Sequence, residues 1–216
     1  MQKFITIIIF LGFQILGFSQ KDFTPDLSGF SKSTLKKARS NDGITFMTDD
    51  EKEVVFYMNL VRMEPQIFLE TIVRPYVKEY FPNKNYYVNT LIADLKKARS
   101  IRPIEMKQDL YKIAYNHRVD IGKNGIKGHT GSNGKTFTKR TKSALKTYYG
   151  TSENIGFGYF SPIENVMELL IDVGVKSFGH RMVILSNKYN NCGVSIGSHT
   201  YYGECCVIDY GILQDD

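Results

Sequence analysis

An α+β fold is predicted by three observations. At 216 residues the chain is long enough for one domain plus appendages. Between residues 49 and 173 apolar side chains recur mainly at helical spacing. Near the C-terminus the pattern changes to a period of two, in residues 192–197 and 206–212, as strands require.

Residues 1–20 read as a secretory signal peptide. Met1-Gln2-Lys3 is a basic start, Phe4 to Phe18 is almost wholly apolar, and Ser19-Gln20 precedes Lys21. The apolar run is 15 residues, short for a membrane span, and no later segment approaches that length. No Cys follows the run, which argues against a lipoprotein. The expected product is therefore exported, secreted or periplasmic, without an integral membrane segment after signal cleavage, and monomeric. Apolar content of 42% and charged content of 23% are those of a globular protein. The 28 Lys and Arg exceed the 22 Asp and Glu, but they are spread along the chain and form no nucleic-acid module. The expected partner is an extracellular ligand. Cys192, Cys205 and Cys206 permit one disulfide in an oxidising compartment, and neighbouring strand residues face opposite ways, so the pairing stays open.

Residues 21–47 are polar, with Pro25, Gly29 and Gly43, and read as a flexible lead-in carrying a short helix at 33–39. Thr48 to Glu51 has capping-box spacing and opens a helix over 49–63, with Val54, Tyr57, Met58 and Val61 on its apolar side. Pro65 fits the first turn of a second helix, ending before Pro75. Residues 82–85 form a loop and 88–99 a helix through Leu91, Ile92 and Leu95. A long helix spans 107–123; its Leu110, Ile113 and Ala114 are expected to pack on the sheet against Val194, Ile196 and Ile208. His117 lies on the same stripe and reads as a packed histidine bonded to a neighbour. Residues 124–133 are a Gly-rich loop holding His129. Ser161 and Glu164 form a second capping box, and Val166, Leu169, Leu170 and Val173 are the buried side of the helix they open. Residues 182–185 are expected as a short helix, and 197–203 as the turn between the two strands.

Three short stretches carry the chemistry: Gly128-His129-Thr130, Ser152-Glu153-Asn154-Ile155 and Gly179-His180-Arg181, each read as an element boundary. Two imidazoles and a carboxylate can hold a small divalent metal or perform acid/base work; equally, hydrogen-bonded histidines can brace a fold. Other strings fail. Gly193 to Gly197 fits the nucleophile-elbow pattern but sits within a strand, and the only later His is His199, four residues on. Gly134-Lys135-Thr136 ends like a phosphate loop, yet the required first Gly would fall on His129. No HExxH and no paired CxxC is present.

Taken in order, the pieces resemble the CAP superfamily (cysteine-rich secretory proteins, antigen 5 and pathogenesis-related-1) in its bacterial SCP-like form. Met58-Asn59-Leu60-Val61-Arg62 resembles the LNxxR of the first helix, and Ala114 to Ile121 the AxxHxxDM helix. The three histidine and glutamate stretches resemble the SHT, GENI and GHRxxIL boxes. Cys192 to Ile196 and Val207 to Gly211 resemble the closing strands. The match covers roughly residues 50–212, and the domain is drawn at 48–213. It implies an α-β-α sandwich with a central antiparallel sheet, and a cavity lined by two His and two acidic residues that in some members binds a divalent metal such as zinc or calcium. Carried over, His129, Glu153 and His180 are three of the four. The nearest acid to the fourth position is Asp172, one place early, with Val173 where the carboxylate is expected; Ser152 replaces the usual Gly.

The resemblance implies an extracellular binding module with a metal-capable cavity. A metal-assisted or acid/base hydrolase of envelope or extracellular polymers is the alternative, and lipid or sterol binding a further one. One expectation concerns the N-terminus: sequencing the exported protein should start near Gln20 or Lys21, and an intact Met1 on a cytoplasmic protein would contradict it.

Overall fold

The computed structural model describes residues 23–39, 43–83, 85–158 and 160–213. The expected signal peptide lies outside the described residues. Among them, no helix is long and apolar enough to cross a membrane.

Helix α1 (Lys32–Ala38) is capped by Ser31, whose side chain accepts from Thr34 N. The lead-in around it is packed rather than free: Phe23, Phe30, Ala38 and Met47 all enter the core. Burying three large side chains offsets the ordering entropy that the polar composition suggested would win. Helix α2 (Asp49–Met63) starts at the Thr48/Glu51 capping box as its spacing predicts. The following helix runs through Pro75 instead of stopping before it. Helix α3 (Pro65–Phe68) passes into a π-helical turn at Leu69–Val73 and then into α4 (Arg74–Tyr80). Proline removes one helical hydrogen bond and crowds the carbonyl four residues back; the widened turn directly before Pro75 accommodates both. Helix α5 (Tyr86–Lys97) follows.

The sheet has four strands, not only the two terminal ones, in the order β1-β3-β4-β2. The short β1 (Glu105–Met106) runs parallel to β3, so the sheet is mixed rather than purely antiparallel. β2 (Tyr148–Phe157), β3 (Asn191–His199) and β4 (Gly203–Leu213) pair antiparallel, with β4 between the other two. β1 is two residues long, and β2 is broken by glycines and polar side chains, so neither shows a clean alternating signal. The β3–β4 strands reach further than predicted and leave only Thr200–Tyr202 between them; Gly203 (φ 80°) takes the left-handed conformation that this tight turn requires.

Helices cover both faces. On one face Cys192, Val194, Cys206, Ile208 and Tyr210 join the large core formed with α2 and α8 (Pro162–Ile171). On the other, Ala114 and Ile121 of α6 (Gln108–Asn124) pack on Ile155, Cys205 and Val207. The expected partners Val194, Ile196 and Ile208 thus face away from α6: residues one apart on a strand point to opposite sides. Ile113 is only partly buried, beside Leu110, Ala144 and Tyr148. Remaining short elements are α7 (Phe137–Arg140), a 3₁₀ turn at Ala144–Lys146 and α9 (Gly179–Ile184), which begins earlier than the predicted 182–185. All three cysteines are free and buried. Cys192 and Cys206 share a face but stand opposite Tyr210 and Ile196 respectively, too far along the ladder to bond.

The glycines that imitate a nucleophile elbow have a packing role. A Cβ on Gly193 would lie 2.0 Å from Tyr111 N, one on Gly197 2.8 Å from Arg118 Nη1, and one on Gly122 2.2 Å from Ser198 O. Helix α6 therefore rests with its backbone directly on β3. Gly193→Ala should cost about 3 kcal/mol or more, since backbone cannot yield; Gly43→Ala, which meets nothing within 4 Å, should stay within about 0.5 kcal/mol. Urea unfolding of the two variants checks both.

Candidate functional site

The site lies along β2, at an edge of the sheet where the two helical layers meet. Alternation along this strand sends Glu153, Ile155 and Phe157 toward the α6 side, and Asn154 and Gly156 toward α8 and α9. Glu153 therefore sits mid-strand, not at an element boundary.

On the α6 side, His129 Nδ1 is 2.7 Å from Glu153 Oε1. Arg140 Nη2 donates to both Glu153 oxygens, at 2.8 and 2.7 Å, and to the His129 carbonyl at 3.2 Å. His117 Nε2 donates to the Gly128 carbonyl at 3.1 Å and so holds the loop just before His129. His117 is the packed histidine that its stripe predicts. Burial holds its pKa below the ordinary value, against the opposing pull of Glu153. Behind Glu153, its cross-strand neighbour Asp209 is fully buried, and neither of its oxygens receives a donor. Burial, then the charge of Glu153, pushes the Asp209 pKa well above the usual carboxylate range. A neutral Asp209 can in turn donate to Glu153.

On the other side, His180 Nδ1 is 2.7 Å from Asp172 Oδ1. Asp172 closes α8 in the left-handed conformation (φ 63°), and its Oδ2 accepts from His180 N at 3.1 Å, tying the start of α9 to the end of α8. Asn154 donates to the His180 carbonyl at 3.2 Å. The displaced acid thus does reach the histidine. Val173, at the position expected for it and on the predicted buried stripe, is 56% exposed because the helix has already ended.

Each imidazole faces a carboxylate through Nδ1, an arrangement in which the neutral ring carries its proton on that nitrogen and keeps its lone pair on Nε2. His129 and His180 line one cavity of about 320 Å³, together with Glu168, Asp172 and an apolar wall of Ile155, Phe157 and Leu169. Glu153 is not among its walls. Glu168 lies over Gly156, where a Cβ would stand 3.0 Å from Oε2; that oxygen is buried and without a hydrogen-bond partner. Burial pushes the Glu168 pKa up to about 7, against the pull of His180 and Lys127. Among the described residues no group of three His, Cys, Asp or Glu side chains is gathered closely enough to hold a metal ion.

Glu168, Arg140 and Asp209 are the site residues that motif reading missed. Glu168 had a signal, since it precedes Asp172 by one helical turn and shares its face. Asp209 had another, an acid between apolar neighbours on a strand. Arg140 had none: it ends the one-turn helix α7, too short to show an apolar period.

The model of the CAP family, described as the cysteine-rich secretory protein family, matches residues 57–210. Among solved structures, an extracellular protein containing an SCP domain from Bacillus anthracis str. Ames is similar at 18% identity over 58% of this chain and 38% of its own, with a TM-score of 0.43. An outer surface protein of Borrelia burgdorferi is similar at 18% identity over 59% of this chain and 90% of its own, with a TM-score of 0.45. A cysteine-rich secretory protein of Staphylococcus aureus subsp. aureus Mu50 shows 17% identity over 62% of this chain and 40% of its own, with a TM-score of 0.39. The Bacillus and Staphylococcus proteins are thus matched over about two fifths of their length. No curated protein matches the chain.

The buried Glu168 makes stability depend on pH. Its folded pKa of about 7 exceeds the ordinary 4.5, so its contribution is fully present below about 4.5 and is lost as pH rises through about 7. Between about pH 4 and about pH 8 the wild type should lose on the order of 3 kcal/mol more than Glu168→Gln. Urea unfolding at the two pH values measures the difference; equal losses would show that the carboxyl is solvated.

Proposed function

The chain belongs to the CAP (cysteine-rich secretory protein) family, and we propose that it is an exported binding module whose β2-edge cavity takes a divalent cation on His129, His180 and Glu168. One observation carries this reading. Both histidines are buttressed at Nδ1 by carboxylates, at 2.7 Å each, and line one cavity with Glu168, whose buried Oε2 has no hydrogen-bond partner. A carboxylate behind an imidazole is the arrangement that orients metal-binding histidines and raises their basicity. On this reading Glu153 and Asp172 stand behind the ligands, and Glu168 supplies the acid that Val173 cannot. The Arg140 cation on Glu153 is a further reason not to place an ion there.

The donors suit zinc, which takes imidazole nitrogen and carboxylate oxygen, better than calcium, which asks for six to eight oxygens. Bound there, the ion would supply a Lewis-acid anchor for a ligand's oxygen. The chain's own residues do the rest. Asp172 and Glu153 fix the tautomers, His117 and Arg140 hold the 128–129 backbone, and Ile155, Phe157 and Leu169 exclude water from one wall. As they stand, His129, His180 and Glu168 are not gathered closely enough to hold an ion, so binding requires them to close on it, and the His129 side chain, 51% exposed, has the room to move.

A second reading, a hydrolase of extracellular polymers, is favoured by the same unpartnered Glu168 oxygen beside two imidazoles, the groups that acid/base work requires. Calorimetry and a turnover screen separate the two. Titration with zinc near neutral pH should give one saturable site, weakened at least about tenfold in Glu168→Gln and absent in the His129→Ala/His180→Ala double variant. Affinity should fall on acidification, because each ligand must shed its proton to bind. Equal heats for wild type and the double variant would leave the histidines a bracing role only. Turnover that survives a chelator and disappears in Glu168→Gln would favour the hydrolase.

A further inference from the structure

A second cavity, of about 790 Å³, opens between α6 and the α7 to 3₁₀ segment. It lies on the far side of Arg140 from the histidine cavity, and neither imidazole of that cavity lines it. Lys112 of α6, Lys135 of the loop and Lys139 and Arg140 of α7 place four cations on its walls. Two acids, Asp109 and Asp120, also line it, against the four cations, and their oxygens are held by neutral donors. Asp109 accepts from Tyr148 Oη at 3.0 Å and from Leu110 N at 2.9 Å. Asp120 accepts from Ser132 N at 2.8 Å, from the Ser132 hydroxyl, and from Asn124 at 3.1 Å. Among the described residues none of the three lysines has an acidic partner in this groove. Arg140 spends Nη2 on Glu153, while its Nε and Nη1 are buried and without a partner.

We propose that this groove binds an acidic oligosaccharide, a short chain of sugars bearing carboxylate or sulfate groups. Three features favour that chemistry. Several lysines line the walls, which suits a ligand with several anionic groups, and the volume is far too large for one ion. Between them, Asn116, Asn133, Ser143 and Thr147 offer the amides and hydroxyls that sugar hydroxyls bond to. The apolar side chains on its walls are Ile113 and Ala144, no Phe, Tyr or Trp lines it, and its one aromatic ring, His117, is buried and bonded to Gly128, so it lacks the stacking platform that single-stranded nucleic acid uses. Uncommitted cations are what polyanion binding needs, and binding through them falls with salt.

The test uses the full-length exported protein and four probes: an oligogalacturonate, a heparin-derived oligosaccharide of similar length, a neutral oligosaccharide, and an acidic peptide of matching charge. Calorimetry at low salt should give saturable binding for one or both of the acidic sugars, and which of them binds distinguishes a carboxylated from a sulfated ligand. The neutral sugar should not bind. The Lys112→Gln/Lys135→Gln/Lys139→Gln variant, whose changes are all at exposed positions, should keep its melting temperature and bind the sugar at least about tenfold more weakly. Undiminished affinity in that folded variant would overturn the proposal. So would equal binding of the acidic peptide, which would point to a protein partner, or complete displacement by millimolar inorganic phosphate, which would reduce the groove to a simple ion site. Because none of the three lysines touches the histidine cavity, zinc binding should be the same in this variant as in the wild type.

Discussion

Two buried guanidinium groups hold α9 in place, and with it His180. Arg181 donates from Nε to Leu170 O at 2.6 Å and from Nη2 to Ile171 O and Tyr87 O at 3.0 and 3.1 Å, while Nη1 reaches Asp94 at 2.8 Å. It joins the end of α8, the start of α5 and α9. Arg62 approaches from α2 and donates to Ile184 O, Ser186 O and Arg102 O, at 2.6, 2.9 and 3.1 Å. Burial, helped by the neighbouring Arg102 charge, draws the Arg62 pKa down to about 10. A cation in the core is costly unless its donors are matched, and the planar fork of arginine can match several carbonyls at once. Phe178, just before α9, accepts a left-handed conformation (φ 51°) that a bulky residue disfavours. Its ring lies against Tyr86 and Tyr87, with the Arg181 guanidinium 4.5 Å from its centroid. The GHR and LNxxR motifs are in this sense one structural device.

The edge strand β2 is the second constraint, because its period of two couples the layers. Glu153 ties it to the 128–129 loop through His129, and Asn154 ties it to α9 through the His180 carbonyl. A register slip of one residue would exchange the two faces and break both connections. Gly156 is required in the same way, since a side chain there would meet Glu168. Arg140 links the two cavities: one nitrogen neutralises Glu153 on the histidine side, and the rest of the group borders the lysine-lined groove. The Glu153 and Asp209 carboxyls stand on neighbouring strands, and burial, with the Glu153 charge beside it, pushes the Asp209 pKa well up.

Helix spacing, the two capping boxes and the two terminal strands were legible in the sequence, because they rest on local periodicity and on backbone groups that a nearby side chain satisfies. The residues His129, Glu153 and His180 were legible as motifs, and His117 as a core histidine. The sequence could not determine which nitrogen or oxygen of each faces a partner. That follows from which strand face a residue occupies and where a helix stops. The end of α8 at Asp172 turned Val173 outward and brought Asp172 onto His180, although counting along the chain put the acid one place early. Strands β1 and β2 stayed hidden because pairing across the sheet, not their own composition, makes them strands. Only the tertiary structure decided that α6 lies on the face of β3 opposite to Val194 and Ile196. Gly193 and Gly122 let helix and strand backbones approach each other there, and Gly197 leaves room for the Arg118 side chain.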